Sequence, residues 1–296
     1  MKLQTTIIII FILTFSAFCE NLTSGEYNII QSWTQEKSYK RQYYVNVPNN
    51  GKDRKIPVFI ALHGSGGNAE RMMKNQLRKY KNISQNYIMV FPQGYNASWN
   101  IVSERSKADD LAFIEAIVTE LTKFDNVQKE NVTILGNSNG AALVNQIAIE
   151  TKLPNIRNYI SNVSPLNCFQ HDGKNFKIRG AENNYQQIAK PLSEKRILNV
   201  SGTEDQLVPY KGGKSKGIPA KGGKLSFVAA EESIYLWAKL NGYKGAKLIK
   251  PSFSEGKLDF YSYDNGNFIH VKANGSGHNA GGALPEKVLL EFLNNK

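Results

Sequence analysis

The 296-residue chain is 41% hydrophobic and 21% charged, which excludes an intrinsically disordered or fibrous protein, and its length suits one α/β domain. The formal net charge is +12, and its densest lysine run, KGGKSKGIPAKGGK from Lys211 to Lys224, has no interleaved aromatic residue. That pattern argues against single-stranded nucleic acid as a partner; the run is expected to be a solvated, mobile loop, with attraction for an acidic polymer or surface as the second reading.

In chain order, the first segment reads as a signal for export. Lys2 supplies a positive start, Ile7 to Phe15 an apolar stretch, and Ala17 and Cys19 the small residues before a cut, so residues 1–19 are expected to be a signal peptide and the protein secreted. The apolar run is about half the roughly 20 residues that span a bilayer, which disfavours a membrane anchor. Phe18 stands where lipoprotein processing wants a small residue, which disfavours lipid on Cys19. Cleavage leaves Cys168 alone, so no intramolecular disulfide is expected, and its thiol reads as packed or partly buried.

Glu26 to Trp33 and Arg41 to Val47 have the pattern of two antiparallel strands, and Pro57 to Leu62 is a short buried strand running into His63-Gly64. Strands and helices then alternate. Tyr87 to Phe91 reads as a strand, Asp109 to Phe124 as an amphipathic helix, Asn131 to Leu135 as a strand and Ala141 to Thr151 as a helix. Arg157 to Val163 and Arg196 to Val200 are further strands, Val228 to Leu240 a helix, Leu258 to Tyr263 a late strand and Pro285 to Leu293 a closing helix. The alternation predicts a mostly parallel central sheet with helices on both faces, in one α/β domain over residues 20–296 without repeat or linker. The stretch 166–192 lacks clear periodicity and is a candidate lid or substrate-contacting insertion. Seven Asn-X-Ser/Thr sequons, among them Asn96, Asn162 and Asn199, prove little in a chain so rich in asparagine.

Gly136-Asn137-Ser138-Asn139-Gly140 matches G-x-S-x-G, a short pattern that gains weight from its setting: a strand leads in and a helix leads out, as in a nucleophile elbow. A Cβ at Gly136 or Gly140 would press on the strand or the helix, and Ser138 would be strained with its hydroxyl exposed near a helix N-terminus. A serine needs a base, and the base an orienting acid. Asp205, in SGTEDQLVPY just past a strand, and His278, in the loop NGSGHNAGG before the last helix, supply both in the order Ser138, Asp205, His278.

The rivals are few. His63 sits in a turn, His171 in the irregular stretch, and His270 in the apolar run FIHV, where a structural, hydrogen-bonded role is the better reading. Glu204 competes with Asp205 for the acid. Asp109 and Asp110 open a helix, where capping outweighs catalysis. The tetrahedral oxyanion needs preorganised donors, and HGSGGNA offers backbone amides, Ser65 first and Asn139 second, against the plain reading of a Gly-rich turn. No metal or other cofactor is expected: HExxH and paired cysteines are absent and the histidines lack ligand spacing.

Taken together, ALHGSGGNA, SWN at Ser98 to Asn100, DDLAFI at Asp109 to Ile114, ILGNSNGAAL, SGTEDQLVPYKGG and GSGHNAGG resemble the secreted poly(3-hydroxybutyrate) depolymerase and feruloyl esterase group of the α/β-hydrolase superfamily, from about Arg41 to the C-terminus. The resemblance implies an α/β-hydrolase catalytic domain, with Ser138 as nucleophile, Asp205 as acid and His278 as base, and it implies that Trp99 and Tyr210 bind substrate. Many relatives have histidine where this chain has Ser201, and tryptophan soon after the catalytic histidine where it has Asn279-Ala280, so acyl and alcohol specificity stay open. The implied activity is serine carboxylic ester hydrolysis through an acyl-enzyme, on feruloyl or acetyl esters of plant polysaccharide or on poly(3-hydroxybutyrate). The partner expected is a polymeric ester substrate, with no nucleic acid, stable membrane anchor or obligate protein partner. Two other classes share the fold: a serine peptidase, for which no access-restricting extra domain is evident, and a non-catalytic carbohydrate-binding relative, which would be expected to lack a triad residue.

Overall fold

A computed structural model describes residues 20–49 and 54–295; the expected signal peptide, 1–19, lies outside them. Two edge strands open the chain, β1 (Gly25–Trp33) and β2 (Glu36–Asn46), followed by β3 (Ile56–Leu62), α1 (Ala69–Lys79), α2 (Lys81–Asn86), β4 (Ile88–Pro92), α3 (Asp110–Leu121), β5 (Val127–Asn137) and α4 (Asn139–Glu150). Then come β6 (Ile156–Asn162), β7 (Arg196–Gly202), β8 (Gly213–Ala220), β9 (Gly223–Phe227), α5 (Ala230–Leu240), β10 (Phe253–Glu255), β11 (Leu258–Tyr263), β12 (Phe268–Ala273) and α6 (Glu286–Asn294).

Ten strands form one sheet in the order β1-β2-β4-β3-β5-β6-β7-β12-β11-β10. The six from β4 to β12 are mutually parallel, and antiparallel strands close both edges. This is the mostly parallel sheet that the alternation predicts. Alternate residues of β3 show how it is filled: Val58, Ile60 and Leu62 face a core with α3, α4 and α5, whereas Phe59 and Ala61 face a second core with α1, α2 and α6. Parallel strands buried on both faces read as continuous apolar runs, which is why these were legible.

A buried ion pair ties the N-terminal edge to α3. Arg41 donates to Asp110 at 2.6 Å and lies over the Phe113 ring, and the other Asp110 oxygen accepts from the Asn100 amide. Asp109 caps α3 through the Ala112 amide, as expected; Asp110 instead is an interior charge. Removing one partner of such a pair typically costs about 3–5 kcal/mol, because the other charge stays buried.

Three expectations are corrected. The lysine-rich run is ordered as the β8–β9 hairpin: Ser215 donates to the Leu207 carbonyl and accepts from the Gly217 and Ile218 amides, while Leu225 and Phe227 are buried and the lysines are exposed. The stretch 166–192 is no lid over the serine. Gln170, Asn183 and Tyr185 are buried against α4 and the 100–102 loop, where their amides and hydroxyl satisfy interior carbonyls. Cys168 is exposed, not packed, because its neighbours Asn167 and Gln170 take the interior positions.

Candidate active site

At the end of β5 the chain turns sharply into α4, and Ser138 occupies the turn with φ 51° and ψ −114°. A non-glycine residue in this region is strained and persists only where its surroundings impose it. Here the crowding is explicit. A Cβ on Gly136 would collide with the Gly140 carbonyl, and one on Gly140 would come within 2.5 Å of the His63 carbonyl oxygen. The Ser138 amide donates to the Asn162 carbonyl of β6, which pins the turn from below.

Ser138 Oγ donates to His278 Nε2 at 2.8 Å, and His278 Nδ1 donates to Asp205 Oδ2 at 2.7 Å. The histidine side chain is 30% exposed and the carboxylate 2%. The second Asp205 oxygen accepts from the Leu207 and Val208 amides. Burial alone would push this carboxyl up, but the bond from His278 and the two amides outweigh it, so its pKa lies below the ordinary carboxylate value. Glu204 is exposed on the same turn, while its backbone amide donates to Ser276 and so ties the acid's turn to the histidine's loop.

Ser65 and the first residue of α4, Asn139, border the same cavity as Ser138, and neither backbone amide has a hydrogen-bond partner among the described residues. Unfilled amides at a helix N-terminus and a glycine-rich turn favour negative charge. The turn is held by His63, a buried ring whose Nδ1 donates to the Gly64 carbonyl and whose Nε2 accepts from the Gly94 amide; burial lowers its pKa, keeping it neutral.

Trp99 does not face the cavity: it is wholly buried, donating its indole N–H to the His63 carbonyl at 2.7 Å, so its place is beneath the turn and not against a substrate. Tyr210 is also displaced from the expected position. Its hydroxyl donates to Glu231, and His270 is hydrogen-bonded through its two ring nitrogens to Tyr210 and Asn199, so Tyr210 borders a neighbouring cavity instead. Burial drives the His270 pKa down to about 3, consistent with a structural imidazole.

Glu104 was missed by sequence reasoning. Its carboxylate accepts from the Ile101 and Val102 amides and from the Asn139 side chain, whose carbonyl in turn accepts from the Trp99 amide. Burial raises its pKa, with the two amides opposing. A lone glutamate in the loop SERSK carries no motif, and only its position beside the elbow marks it. The cavity in front of Ser138 has a volume of about 520 Å³ and is lined by the polar Ser98, Glu104 and Arg105 and by the apolar Val208, Ile218, Leu225 and Phe227. Among the described residues no cluster of side chains could hold a metal ion, and no helix is long and apolar enough to cross a membrane.

No family model matches the chain. Its sequence is similar to feruloyl esterase B of Piromyces equi, 25% identical over 197 residues, which is 65% of this chain and 34% of that protein. The chain spans about a third of the length of the curated relatives it matches. Among solved structures, acetyl xylan esterase from Aspergillus awamori superposes with a TM-score of 0.62 at 15% identity, covering 92% of this chain and 99% of that one. Est1E from Butyrivibrio proteoclasticus gives 0.50 at 16% identity, covering 93% and 100%. The chain thus has the α/β-hydrolase fold, and its similarities in sequence and structure are to esterases of that fold.

Proposed function

We propose that the protein is a secreted serine carboxylic ester hydrolase acting on polymer-linked esters, with hydroxycinnamoyl or acetyl esters of plant polysaccharide as the substrate class. The observation that carries this reading is the hydrogen-bonded chain Ser138–His278–Asp205 opening on a cavity beside two unpaired amides.

In the proposed reaction Ser138 Oγ attacks the ester carbonyl carbon while His278 Nε2 takes the hydroxyl proton, and Asp205 stabilises the imidazolium. The carbonyl oxygen becomes an oxyanion held by the Ser65 and Asn139 amides. As the C–O bond to the alcohol breaks, His278 returns the proton to the leaving oxygen, and the acyl group stays on Ser138. Water, deprotonated by His278, then attacks the acyl-enzyme and releases the acid. The apolar lining of Val208, Ile218, Leu225 and Phe227 suits an acyl group, and the polar lining of Glu104 and Ser98 suits its substituents.

Ser138→Ala is expected to lower kcat on p-nitrophenyl acetate by about 10⁴-fold or more; near-normal turnover in a clean preparation would sink the assignment. Release of ferulate or acetate from xylan, measured beside clearing of poly(3-hydroxybutyrate) granules, separates the polysaccharide reading from the polyester one. Export is tested by the mass of the protein recovered from culture medium, which should begin at Glu20.

A further inference from the structure

We infer that the protein holds a second binding site, for a carboxylate-bearing saccharide, in a cationic cavity on the opposite side of the Asp205 turn from Ser138. As the uronate subsite of a polysaccharide esterase it rests on the proposed function; as a binding site it does not.

The turn from Asp205 to Tyr210 separates two cavities. Leu207 and Val208 face the one containing Ser138, whereas Asp205, Gln206, Pro209 and Tyr210 face another of about 630 Å³. Lysines reach this second cavity from three elements: Lys211 from the loop after β7, Lys214 and Lys216 from β8, and Lys272 from β12. None of the four is in an ion pair among the described residues.

The carboxylates that border the cavity, Asp205, Glu231 and Glu232, have partners of their own and are outnumbered by the lysines lining it, Lys211, Lys214, Lys216, Lys247 and Lys272, so the cavity stays net cationic. Asp205 accepts from His278, Glu231 accepts from the Tyr210 hydroxyl, and Glu232 pairs with Lys247 at 2.6 Å. Asp259, opposite Lys272 across β11 and β12, accepts from Ser254 and Asn274. Four ammonium groups gathered round one concave surface repel one another, and an arriving anion relieves that repulsion. The hairpin has the means to be ordered without them, through Ser215 and its apolar face, so the lysines are not what holds it.

The shape and setting favour a saccharide carboxylate. The Tyr210 ring, with Lys272 5.9 Å from its centroid, offers an apolar face beside cations, which suits a pyranose ring carrying an acidic group. Because one short turn divides this cavity from that of Ser138, a polymer esterified at one residue can place a neighbouring acidic residue in the other. Multivalent engagement of this kind raises affinity for the polymer without altering the chemistry at the serine.

The test is equilibrium binding to the Ser138→Ala protein of an oligogalacturonide and of a neutral xylo-oligosaccharide of equal length. The oligogalacturonide is expected to bind about tenfold more tightly, with a margin that shrinks as salt rises. The combined variant Lys211→Ala, Lys214→Ala, Lys216→Ala should lose most of that margin while keeping wild-type hydrolysis of p-nitrophenyl acetate when Ser138 is intact. Equal affinity for both saccharides, or a margin that survives loss of the three lysines, overturns the inference. Absence of ester hydrolysis by the wild type would count against Ser138 as nucleophile and leave the binding result readable.

Discussion

The serine and its partners are held in place by unlike means. Ser138 is fixed by backbone crowding around one tight turn: a strained φ of 51°, a Gly136 with no room for a side chain, and an amide bound to the Asn162 carbonyl of the next strand. Asp205 and His278 lie 73 residues apart and meet through hydrogen bonds between two loops, at the ends of the paired strands β7 and β12. The first arrangement depends on shape and the second on protonation and charge. Perturbations of charge should therefore act mainly on the acid–base half and reach the elbow through Glu104, whose carboxylate accepts from the Asn139 side chain.

The largest effect should come from Asp205→Asn. The carboxamide can still accept from the Leu207 and Val208 amides, but it cannot orient His278 or stabilise its charged form. A fall in kcat of about 10⁴-fold on activated esters is expected, with the elbow geometry unchanged. A drop under tenfold would mean that another group, such as Glu204, supplies the acid.

Glu104→Gln probes the one place where the elbow depends on a charge. Glu104 accepts from the Asn139 side chain at 3.1 Å, and Asn139 supplies one of the two free amides. A glutamine that keeps its oxygen toward the Ile101 and Val102 amides turns an N–H toward the Asn139 amide nitrogen, and two donors then face each other. Losing such a charge-assisted bond corresponds to about 2 kcal/mol, or roughly a thirtyfold fall in kcat. KM for a small ester should hardly move. A rise in KM with kcat unchanged would instead place Glu104 in ground-state binding.

The same contrast explains which parts were legible in the sequence. The elbow is contiguous, so Gly136, Ser138 and Gly140 could be read as a unit with the strand before and the helix after. Chain order and loop setting pointed to His278 and to the SGTED turn, but the choice of Asp205 over its neighbour Glu204 came mostly from the family resemblance. What escaped were contacts made by residues distant in sequence. The resemblance implies that Trp99 binds substrate, yet its indole N–H is used at the His63 carbonyl. The Lys211–Lys224 run reads as a loop because lysine and glycine mask its two inward residues, Leu225 and Phe227, which lie just beyond it. The helices α1 and α2 went unread, as did β12, where His270 interrupts a short apolar pattern. Burial of 166–192 was hidden because its buried apolar residues Leu166, Phe176 and Ala189 follow no regular period and lie among buried polar groups such as Gln170 and Asn183, which only tertiary partners can satisfy.

The smallest expected effect lies in how stability depends on pH. The Asp205 carboxyl has a folded-state pKa below its unfolded value of about 3.9, since three donors favour its charged form. Between those two values the unfolded chain binds a proton that the folded chain does not, so stability rises with pH there. The contribution is fully present above the unfolded pKa and is lost as pH falls through the folded one. Urea unfolding of wild type and Asp205→Asn at pH 6, 5, 4 and 3 should therefore show a stability difference that is constant at the upper two values and shrinks at the lower two. Ser138→Ala, which alters a site held by backbone shape, should differ from wild type by an amount that does not change over this range. If both differences shrink alike, the serine turn shares the charge dependence of the acid–base loops, and the two halves of the site form one electrostatic unit.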